Sequence, residues 1–477
     1  MFKELAKSIV IYGLSSSLGK FIGLFFVPIY TRIFSPEEYG IIDVISVTIS
    51  FISILGILQL ESAISRFYYS SKDSKERNSR ISTAMWTTVF VSFSLVFILI
   101  LLSDFISNIF FESSEYAIII SIASFLIPLS NLFAIFTVII RFLKKPGHYT
   151  LIVLIQLAVT ISVSVLMVVY LDKGIIGVFV GQLSGLALGV LIGAIYLRGK
   201  IHFIFNMGYL KEMFQYSLPM VPAVAGGWIN SNANRYVMIG YLSLSEIGLY
   251  AVALKIASVM KIVDSAIRMA WGPFFWETYE RENHRVIFQR VSVIITMIIF
   301  TLVIVISLFS SNVLMILTPM KFHAASQYVG LVALAFGLNI INQTIGVGPG
   351  ITKKTYYNTG IYFFSVTINI GALFLLVPQI GLLGVPISLF MSAIVLLILA
   401  WYFSERLYFI GFSKTMFGLP FALTTVIVFL NTFFDYSIQI KLFICITIIA
   451  ICGLYILKRG DSFNALLSEI EIGGKDN

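Results

Sequence analysis

The charged residues of this sequence lie mostly between its apolar segments, but a few basic side chains lie within them. These are Lys20, Arg235, Lys255, Lys261 and Arg268. A cation at the centre of a membrane helix costs at least roughly 2.5 to 3.5 kcal/mol on insertion scales, so such residues normally face a bundle interior or a watery cavity. Several basic groups in such places predict a binding site for an anionic ligand.

Three of the charges share one helical face. Lys261, Asp264 and Arg268 follow an i, i+3, i+7 spacing, which places a carboxylate between two cations. Two structural explanations stay open, because Arg268 could extend to the membrane interface beside Trp271, and Lys261 with Asp264 could form a buried pair. Lys255 lies about 120° around the helix from Lys261 and could face another helix.

Lys20 and Arg235 are the stronger candidates for ligand binding. Neither has an acidic residue within one helical turn of its own segment, and Arg235 follows a polar stretch that includes Asn230 and Asn234. Those two amides are expected to line a polar cavity. Asp43, in another apolar segment, could be a distant counter-ion or a proton-carrying group for coupling, and Asp264 is a second candidate for that role.

The sequence predicts no catalytic site, cofactor or metal site. The stretch Gly13–Lys20 resembles a phosphate-binding loop only weakly, because its spacing is one residue too long and Phe21 replaces the Ser or Thr. The four histidines are scattered over different loops without metal-ligand spacing. We therefore expect a protein that is not an enzyme.

The composition predicts that membrane helices position these residues. The chain has 477 residues, of which 58% are hydrophobic and 12% charged, with a mean hydropathy of +0.97. One crossing needs roughly 20 apolar residues, and backbone groups in lipid must be hydrogen-bonded internally, so repeated apolar runs indicate helices. We predict an all-α polytopic membrane protein with about fourteen spans. They lie near residues 7–33, 39–60, 81–103, 116–142, 149–171, 174–197, 213–240, 247–270, 288–309, 325–349, 356–377, 380–403, 415–433 and 440–457.

The loop charges predict the orientation of the chain. Most Lys and Arg residues fall in loops on one side, whereas the opposite loops hold only Arg32, Lys173, Lys321 and Lys441. Basic loops favour the cytoplasm, so both termini are expected to be cytoplasmic. The net charge of +9 reflects this topology and attraction to anionic lipid, and no compact basic domain suggests nucleic-acid binding.

An internal repeat divides the chain. The stretch Gly174–Val178 (GIIGV) opens the sixth predicted span, and Gly381–Val385 (GLLGV) opens the twelfth. At nearly the same separation, Ser35, Glu38 and Gly40 match Ser243, Glu246 and Gly248, and Lys144-Lys145 matches Lys353-Lys354. The matches together indicate a duplication.

The duplication predicts two lobes of about six helices in the same orientation, related by an axis along the membrane normal. The expected lobes are residues 1–205 and 206–410, followed by an extra helix pair and tail in residues 411–477. Transporter substrates usually bind in the cleft between such repeats.

Three stretches carry a resemblance to a known family. They are Gly13–Arg32, whose end contains Pro28, Tyr30 and Thr31, the turn Phe34–Gly40 (FSPEEYG), and Gly174–Val178 with its repeat. In these stretches the chain resembles the Wzx-type O-antigen flippases of the multidrug, oligosaccharidyl-lipid and polysaccharide exporter superfamily. The resemblance extends over nearly the whole chain.

The resemblance implies a flippase of lipopolysaccharide or other polysaccharide biosynthesis in the bacterial inner membrane. Its substrate would be an undecaprenyl-diphosphate-linked oligosaccharide, whose diphosphate sits on the cavity cations while the polyprenyl tail stays among the membrane lipids. Lys20 and Arg235 would then form a diphosphate clamp, with Lys261 and Arg268 at the cytoplasmic entrance. A polysaccharide polymerase and chain-length machinery are expected partners.

Three other functions are weighed against this one. A flippase of the peptidoglycan precursor lipid II would need a very similar cationic cavity and is the main alternative. A cation-coupled multidrug exporter is disfavoured. Such proteins resemble cation binders that rely on carboxylates inside their lobes, whereas the first helices of the two predicted lobes here carry Lys20 and Arg235. A membrane-embedded polysaccharide polymerase or ligase would usually show a long external loop with polar catalytic residues, and the sequence has none.

Overall fold

The chain is built from helices, several of which are broken within the predicted spans. The computed structural model describes residues 24–458 except 69, 72 and 144, and this part of the chain contains no strand. Its helices are α1 (Leu24–Ile33), α2 (Pro36–Ile57), α3 (Leu60–Phe67), α4 (Ser74–Leu101), α5 (Ser103–Phe111), α6 (Ala117–Ser124), α7 (Leu126–Phe142), α8 (Pro146–Val165), α9 (Gly174–Leu197), α10 (Met207–Ser217), α11 (Val221–Asn232), α12 (Asn234–Tyr241), α13 (Leu244–Ala257), α14 (Val259–Tyr279), α15 (His284–Leu308), α16 (Ser310–Leu317), α17 (Ser326–Ile345), α18 (Gly348–Ile351), α19 (Tyr356–Ile380), α20 (Gly384–Leu407), α21 (Lys414–Phe433) and α22 (Ile438–Lys458).

Much of this helical structure is long and apolar enough to cross a membrane. Among the described residues, 9 stretches meet that condition: Pro36–Ile57, Ser74–Leu101, Ala117–Phe142, Pro146–Tyr170, Gly174–Leu197, His284–Leu308, Met320–Ile351, Tyr356–Leu407 and Lys414–Phe433. The 52-residue stretch Tyr356–Leu407 contains both α19 and α20, so it corresponds to two predicted spans. The prediction of an all-α polytopic membrane protein is confirmed, and the count of about fourteen spans stays a prediction.

The region predicted as spans 213–240 and 247–270 is more broken than the hydropathy pattern indicated. Residues 207–241 form α10, α11 and α12, and Ser258 separates α13 from α14. Pro219 lies in a short 3-10 turn between α10 and α11, and Pro222 lies in the first turn of α11. Proline cannot donate a backbone hydrogen bond, so it favours helix starts over helix interiors.

The helices pack into two compact units. One unit ends at Lys255 and also includes Leu373–Leu382. The other comprises Ile256–Ala372 and the chain from Leu383 onward. The lobes proposed from the duplication, with a boundary near residue 205, stay a prediction.

The repeated sequence stretches have equivalent local structures. Gly174 and Gly381 both adopt a left-handed backbone conformation, with φ of +54° and +60°, a region that disfavours residues with a Cβ. Ser35 caps α2 by accepting a hydrogen bond from Glu38 N (3.1 Å), while Glu38 Oε2 accepts one from Ser35 N (2.7 Å). The matched residues of the repeat make the same reciprocal bonds at the start of α13. The sequence matches therefore reflect a repeated backbone geometry.

The segment after α9 is hydrogen-bonded to α4 within the first unit. Trp86 Nε1 donates to His202 O (3.0 Å), and Asn206 N donates to Thr83 Oγ1 (3.1 Å). The buried Arg80 forms a 2.8 Å ion pair with Glu212 of α10. These contacts fix α10 before the chain enters α11, which begins the polar region described below.

The helix pair α21–α22 is attached to α15–α17 in the second unit. Lys441, expected in an external loop, instead lies in the first turn of α22 and is only 1% exposed. Its Nζ contacts Asp435 Oδ1 (2.7 Å) and Asn312 Oδ1 (2.9 Å). Burial of the amine is compatible with its charge because both contacts are to oxygen acceptors.

Candidate functional site

A buried ion pair joins α2 to α12 at the predicted ligand-binding arginine. Arg235 Nε lies 3.0 Å from Asp43 Oδ2, and their side chains are 6% and 13% exposed. Asp43, expected as a distant counter-ion, is thus a direct partner of Arg235. The carboxylate comes from a helix far away in sequence, so the charge of the guanidinium is neutralised across the packed helices.

The remaining surroundings of Arg235 are polar and aromatic. Its Nη1 donates to Asn234 Oδ1 (2.8 Å) and to Ser231 O (3.4 Å) at the end of α11. Asn234 Nδ2 in turn donates to the hydroxyl of Tyr250 (2.8 Å), whose ring lies 5.3 Å from the guanidinium carbon. These groups lie in consecutive turns at the junction of α11 and α12, where Ala233 keeps right-handed helical backbone angles (φ −63°, ψ −18°).

Two more hydrogen bonds connect the polar side of α2 to α11 and α12. Thr48 Oγ1 and the Tyr236 hydroxyl are 3.1 Å apart, and Trp228 Nε1 donates to Ser50 Oγ (2.9 Å). With the ion pair, they form a band of polar contacts between α2 and the helices α11 and α12. We call Asp43, Thr48, Ser50, Trp228, Ser231, Asn234, Arg235, Tyr236 and Tyr250 the polar band.

A close backbone contact flanks the polar band. Gly40 of α2 and Gly248 of α13 face each other, and a Cβ at Gly248 would overlap the carbonyl oxygen of Pro36. A Cβ at Gly40 would likewise overlap the carbonyl oxygen of Leu244. Only glycine at both positions allows α2 and α13 to approach so closely. Gly40 and Gly248 are the glycines matched in the sequence repeat.

A second charged cluster lies on α14. Arg268 Nη2 contacts Asp264 Oδ2 at 2.8 Å, with the two side chains 66% and 27% exposed. Gln343 of α17 also donates a hydrogen bond to Asp264 Oδ1. Such an exposed i, i+4 pair contributes only about 0 to 1 kcal/mol, so Arg268 can change partner at small cost.

The other predicted site residues are spread over different places. Lys261 is exposed, and its Nζ lies 4.9 Å from the centre of the Phe336 ring. Lys255 is half-buried in the last turn of α13, and Asn230 is half-buried in α11. Lys20 lies outside the described residues. The structure therefore brings Arg235, Asp43 and Asn234 together but leaves the proposed clamp with Lys20 as a prediction.

Sequence reasoning missed the aromatic members of the polar band. Tyr250, Trp228 and Tyr236 each use a hydroxyl or indole N–H to bond a polar side chain. In the sequence they look like ordinary apolar packing residues. A usable signal was their position, because Trp228 and Tyr236 flank the Asn-rich stretch that precedes Arg235.

The site offers cationic and hydrogen-bonding groups for binding. Within the described part of the chain, no group of three or more His, Cys, Asp or Glu side chains could hold a metal ion. An Arg guanidinium can donate two parallel hydrogen bonds to a phosphate or carboxylate, and such bonds are strong when the site is shielded from water. In the structure the guanidinium of Arg235 already contacts the carboxylate of Asp43, so recognition of an anionic ligand there stays a prediction.

Comparison with known proteins gives one family match. Residues 29–327, more than half of the chain, match the family model described as "Polysaccharide biosynthesis protein". The matched region includes α2, the polar band and the cluster on α14.

Two known sequences are similar over shorter regions. The Staphylococcus aureus capsular polysaccharide biosynthesis protein CapF is 26% identical over 219 residues, covering 45% of this chain and 54% of CapF. The succinoglycan biosynthesis transport protein ExoT of Rhizobium meliloti is 24% identical over 336 residues, covering 68% of this chain and 65% of ExoT. The matches thus span between about half and two thirds of the length of these relatives.

Solved structures share the fold. A lipid II flippase MurJ in an inward closed conformation aligns with a TM-score of 0.72 and 17% identity, covering 95% of this chain and 100% of that one. An inward-facing multidrug resistance transporter of the MATE family, in the MOP superfamily, aligns with a TM-score of 0.61 and 16% identity, covering 84% and 97%. At these identities the likeness establishes the fold alone.

Proposed function

Because the chain belongs to the polysaccharide biosynthesis protein family, we propose that it flips an undecaprenyl-diphosphate-linked oligosaccharide from the cytoplasmic to the outer leaflet of a bacterial inner membrane. The relatives named for capsular polysaccharide biosynthesis and for succinoglycan transport support a polysaccharide-related substrate. In this proposal the chain moves its substrate without chemical change, with both termini in the cytoplasm.

The observation that carries the proposal is the buried Arg235 held against Asp43 between α2 and α12. Their contact neutralises both groups while these helices are together. Separation of the helices would leave the guanidinium without its carboxylate, and a diphosphate could then take the place of Asp43. Because Arg can engage two phosphate oxygens at once, it suits this exchange better than Lys.

The glycine contact beside the polar band supports alternating access. Gly40 and Gly248 allow α2 and α13 to close tightly on the side that the charge pattern predicts to be external. In our proposal this contact opens to release the sugar and closes again afterwards. Rocking of two repeats about a site near the midplane is the common mechanism for transporters built by duplication.

The remaining basic residues have proposed roles in the same cycle. Lys20 is the proposed second half of the diphosphate clamp, and Lys261 with Arg268 is proposed to receive the substrate from the cytoplasmic leaflet. Lys255 is a further candidate for diphosphate contact. The polymerase and chain-length machinery that use the flipped unit are proposed partners.

The test is flipping in vesicles that contain purified protein and a fluorescent lipid-linked oligosaccharide, without ATP. Wild-type protein is expected to expose the substrate to a membrane-impermeant reagent, and Arg235→Ala to lose most of this activity. Arg235→Lys should retain part of it, because the charge remains while the two-pronged contact is lost. Lys173→Ala, a charge removal in an exposed loop, is the matched control and should behave as wild type.

Two outcomes would contradict the proposal. A strict requirement for ATP hydrolysis would exclude passive or ion-coupled flipping. Wild-type rates for Arg235→Ala at wild-type protein abundance would remove Arg235 from substrate binding. A strong preference for lipid II over other lipid-linked oligosaccharides would instead assign the alternative function, flipping of the peptidoglycan precursor.

A further inference from the structure

A large cavity in the second unit shares no residue with the polar band. It has a volume of about 600 Å3 and lies among α15, α17, α20 and α21. Its lining includes the buried Ile341 and Phe417 and the exposed Ile398. Nothing in the flipping cycle proposed above requires this cavity.

The polar and apolar parts of the lining are segregated along the helices. Tyr402, Glu405, Arg406 and Lys414 lie at the end of α20 and the start of α21, and the other lining residues are apolar or glycine. Along α20, the lining extends from Arg406 back to Ile394, which is about 18 Å at 1.5 Å per residue. This is close to the depth of one leaflet, roughly 15 Å of hydrocarbon. The cavity therefore has the polarity and length expected for one lipid molecule that lies parallel to the helices, with its head group at the charged end.

The charged end of the cavity is cationic. The carboxylate of Glu405 bonds the backbone of the loop between α20 and α21 and not the two basic side chains. It accepts hydrogen bonds from Gly411 N (3.0 Å) and Phe412 N (3.4 Å). Arg406 and Lys414 are exposed, and neither forms an ion pair within the described part of the chain. Two cations beside an apolar cavity require an anionic group for charge complementarity.

Lys414 is also the first residue of α21, whose Ser413 cap bonds Met416 N at 3.4 Å. A cation at a helix N-terminus opposes the helix dipole, whereas an anion there is favoured. A bound anion beside Lys414 would remove this conflict. The helix end thus adds to the charge complementarity that Arg406 and Lys414 already provide.

We propose that this cavity binds an anionic phospholipid of the cytoplasmic leaflet, with its phosphate at Arg406 and Lys414 and an acyl chain along α20 and α21. Basic pockets between membrane helices on the cytoplasmic side are suited to anionic head groups. The loop Tyr408–Ser413 lies on the side that the charge pattern predicts to be cytoplasmic. An undecaprenyl chain is longer than the cavity, which favours an ordinary acyl chain as the occupant.

The test is native mass spectrometry of the full-length protein with phosphatidylglycerol and phosphatidylcholine that carry identical acyl chains. Wild-type protein is expected to bind phosphatidylglycerol roughly tenfold more tightly. Arg406→Gln/Lys414→Gln should lose this preference. Arg198→Gln/Lys200→Gln removes the same two charges from another predicted cytoplasmic loop and should keep it.

A second variant tests the apolar part of the site independently. Gly418 lines the cavity, and a Cβ there would have no atom within 4 Å, so Gly418→Leu should fill the cavity without disturbing the fold. It is expected to weaken binding of both lipids by a similar factor. The variant's thermal stability in detergent should match that of wild type.

Several results would overturn the proposal. Equal binding of the two lipids by wild type, or an unchanged preference in Arg406→Gln/Lys414→Gln, would exclude an anionic head-group site. Unchanged binding in Gly418→Leu would place the acyl chain elsewhere. Tighter binding of undecaprenyl phosphate than of phosphatidylglycerol, abolished by Gly418→Leu, would assign the cavity to the substrate's chain instead.

Discussion

Removal of one partner from the Asp43–Arg235 pair should cost more than removal of both. Asp43→Asn keeps the shape of the side chain but leaves the guanidinium, on a side chain that is 6% exposed, without its counter-charge. Breaking a buried pair in this way costs about 3 to 5 kcal/mol. Asp43→Asn/Arg235→Gln leaves no charge and loses only a few hydrogen bonds, each worth about 0.5 to 1.5 kcal/mol. The double variant should therefore be more stable than either single variant by about 2 kcal/mol.

The assay is thermal unfolding of purified protein in detergent, followed by intrinsic fluorescence, together with protein abundance in membranes. Asp43→Asn and Arg235→Gln should each lower the Tm and the abundance, and the double variant should recover most of both. Additive losses, with the double variant least stable, would refute the reasoning because they would mean that the two groups do not interact.

Transport by the same variants separates structural from functional roles. If Arg235 binds the diphosphate, Asp43→Asn/Arg235→Gln should recover stability but stay inactive in the vesicle assay. If Arg235 only balances Asp43, flipping should return with stability, since no charge is left unpaired. Recovery of flipping in the double variant would therefore exclude Arg235 as a substrate contact.

Three further outcomes follow from the contacts of individual residues. In the vesicle assay, Gly248→Val should abolish flipping because it prevents close packing of α13 on α2. Gly240→Ala is the control and should leave flipping unchanged, because a Cβ there meets nothing within 4 Å. Lys441→Met should lower stability by about 1 to 3 kcal/mol, measured as Tm in detergent, with the 57% exposed Asp435 limiting the loss. Ser243→Ala should remove the cap of α13 and cost about 0.5 to 2 kcal/mol in the same measurement, and an unchanged Tm would contradict the capping argument.

The sequence comparison identified Gly174, Gly381 and Ser35 only as matching positions of the repeat. Their conformations come from the structure, in which the two glycines are left-handed and Ser35 caps α2. The expected link to polysaccharide biosynthesis is confirmed by the family match, and the expected fold is shared with a lipid II flippase and a MATE transporter, while the flippase role stays a proposal. Long apolar runs such as Pro36–Ile57 likewise predicted membrane helices, because lipid leaves the backbone few alternatives.

The breaks within the region around Arg235 were harder to predict. A hydropathy window that covers residues 213–240 averages over the polar stretch Asn230–Arg235, so it does not show that α11 ends and α12 begins within it. Pro222 lies in the first turn of α11, a position that proline favours, whereas no residue at the α11–α12 junction is a strong helix breaker. The junction at Ala233 is followed by Asn234, whose side chain bonds the hydroxyl of Tyr250 on α13, a contact that the local sequence does not reveal.

The ion pair itself could not be derived from one sequence. Asp43 and Arg235 are 192 residues apart, and pattern reasoning considers only the neighbours within a few helical turns. A buried arginine nevertheless requires an acceptor, because an unpaired charge in the membrane interior is costly. That requirement identified Asp43 as a candidate counter-ion, but it could not distinguish a distant carboxylate from a direct contact. The close approach of Gly40 and Gly248 allows the direct contact. Side chains at these positions would keep α2 away from α13 and from α12, which carries Arg235. The small residues that control the packing are therefore as informative about this site as its charges.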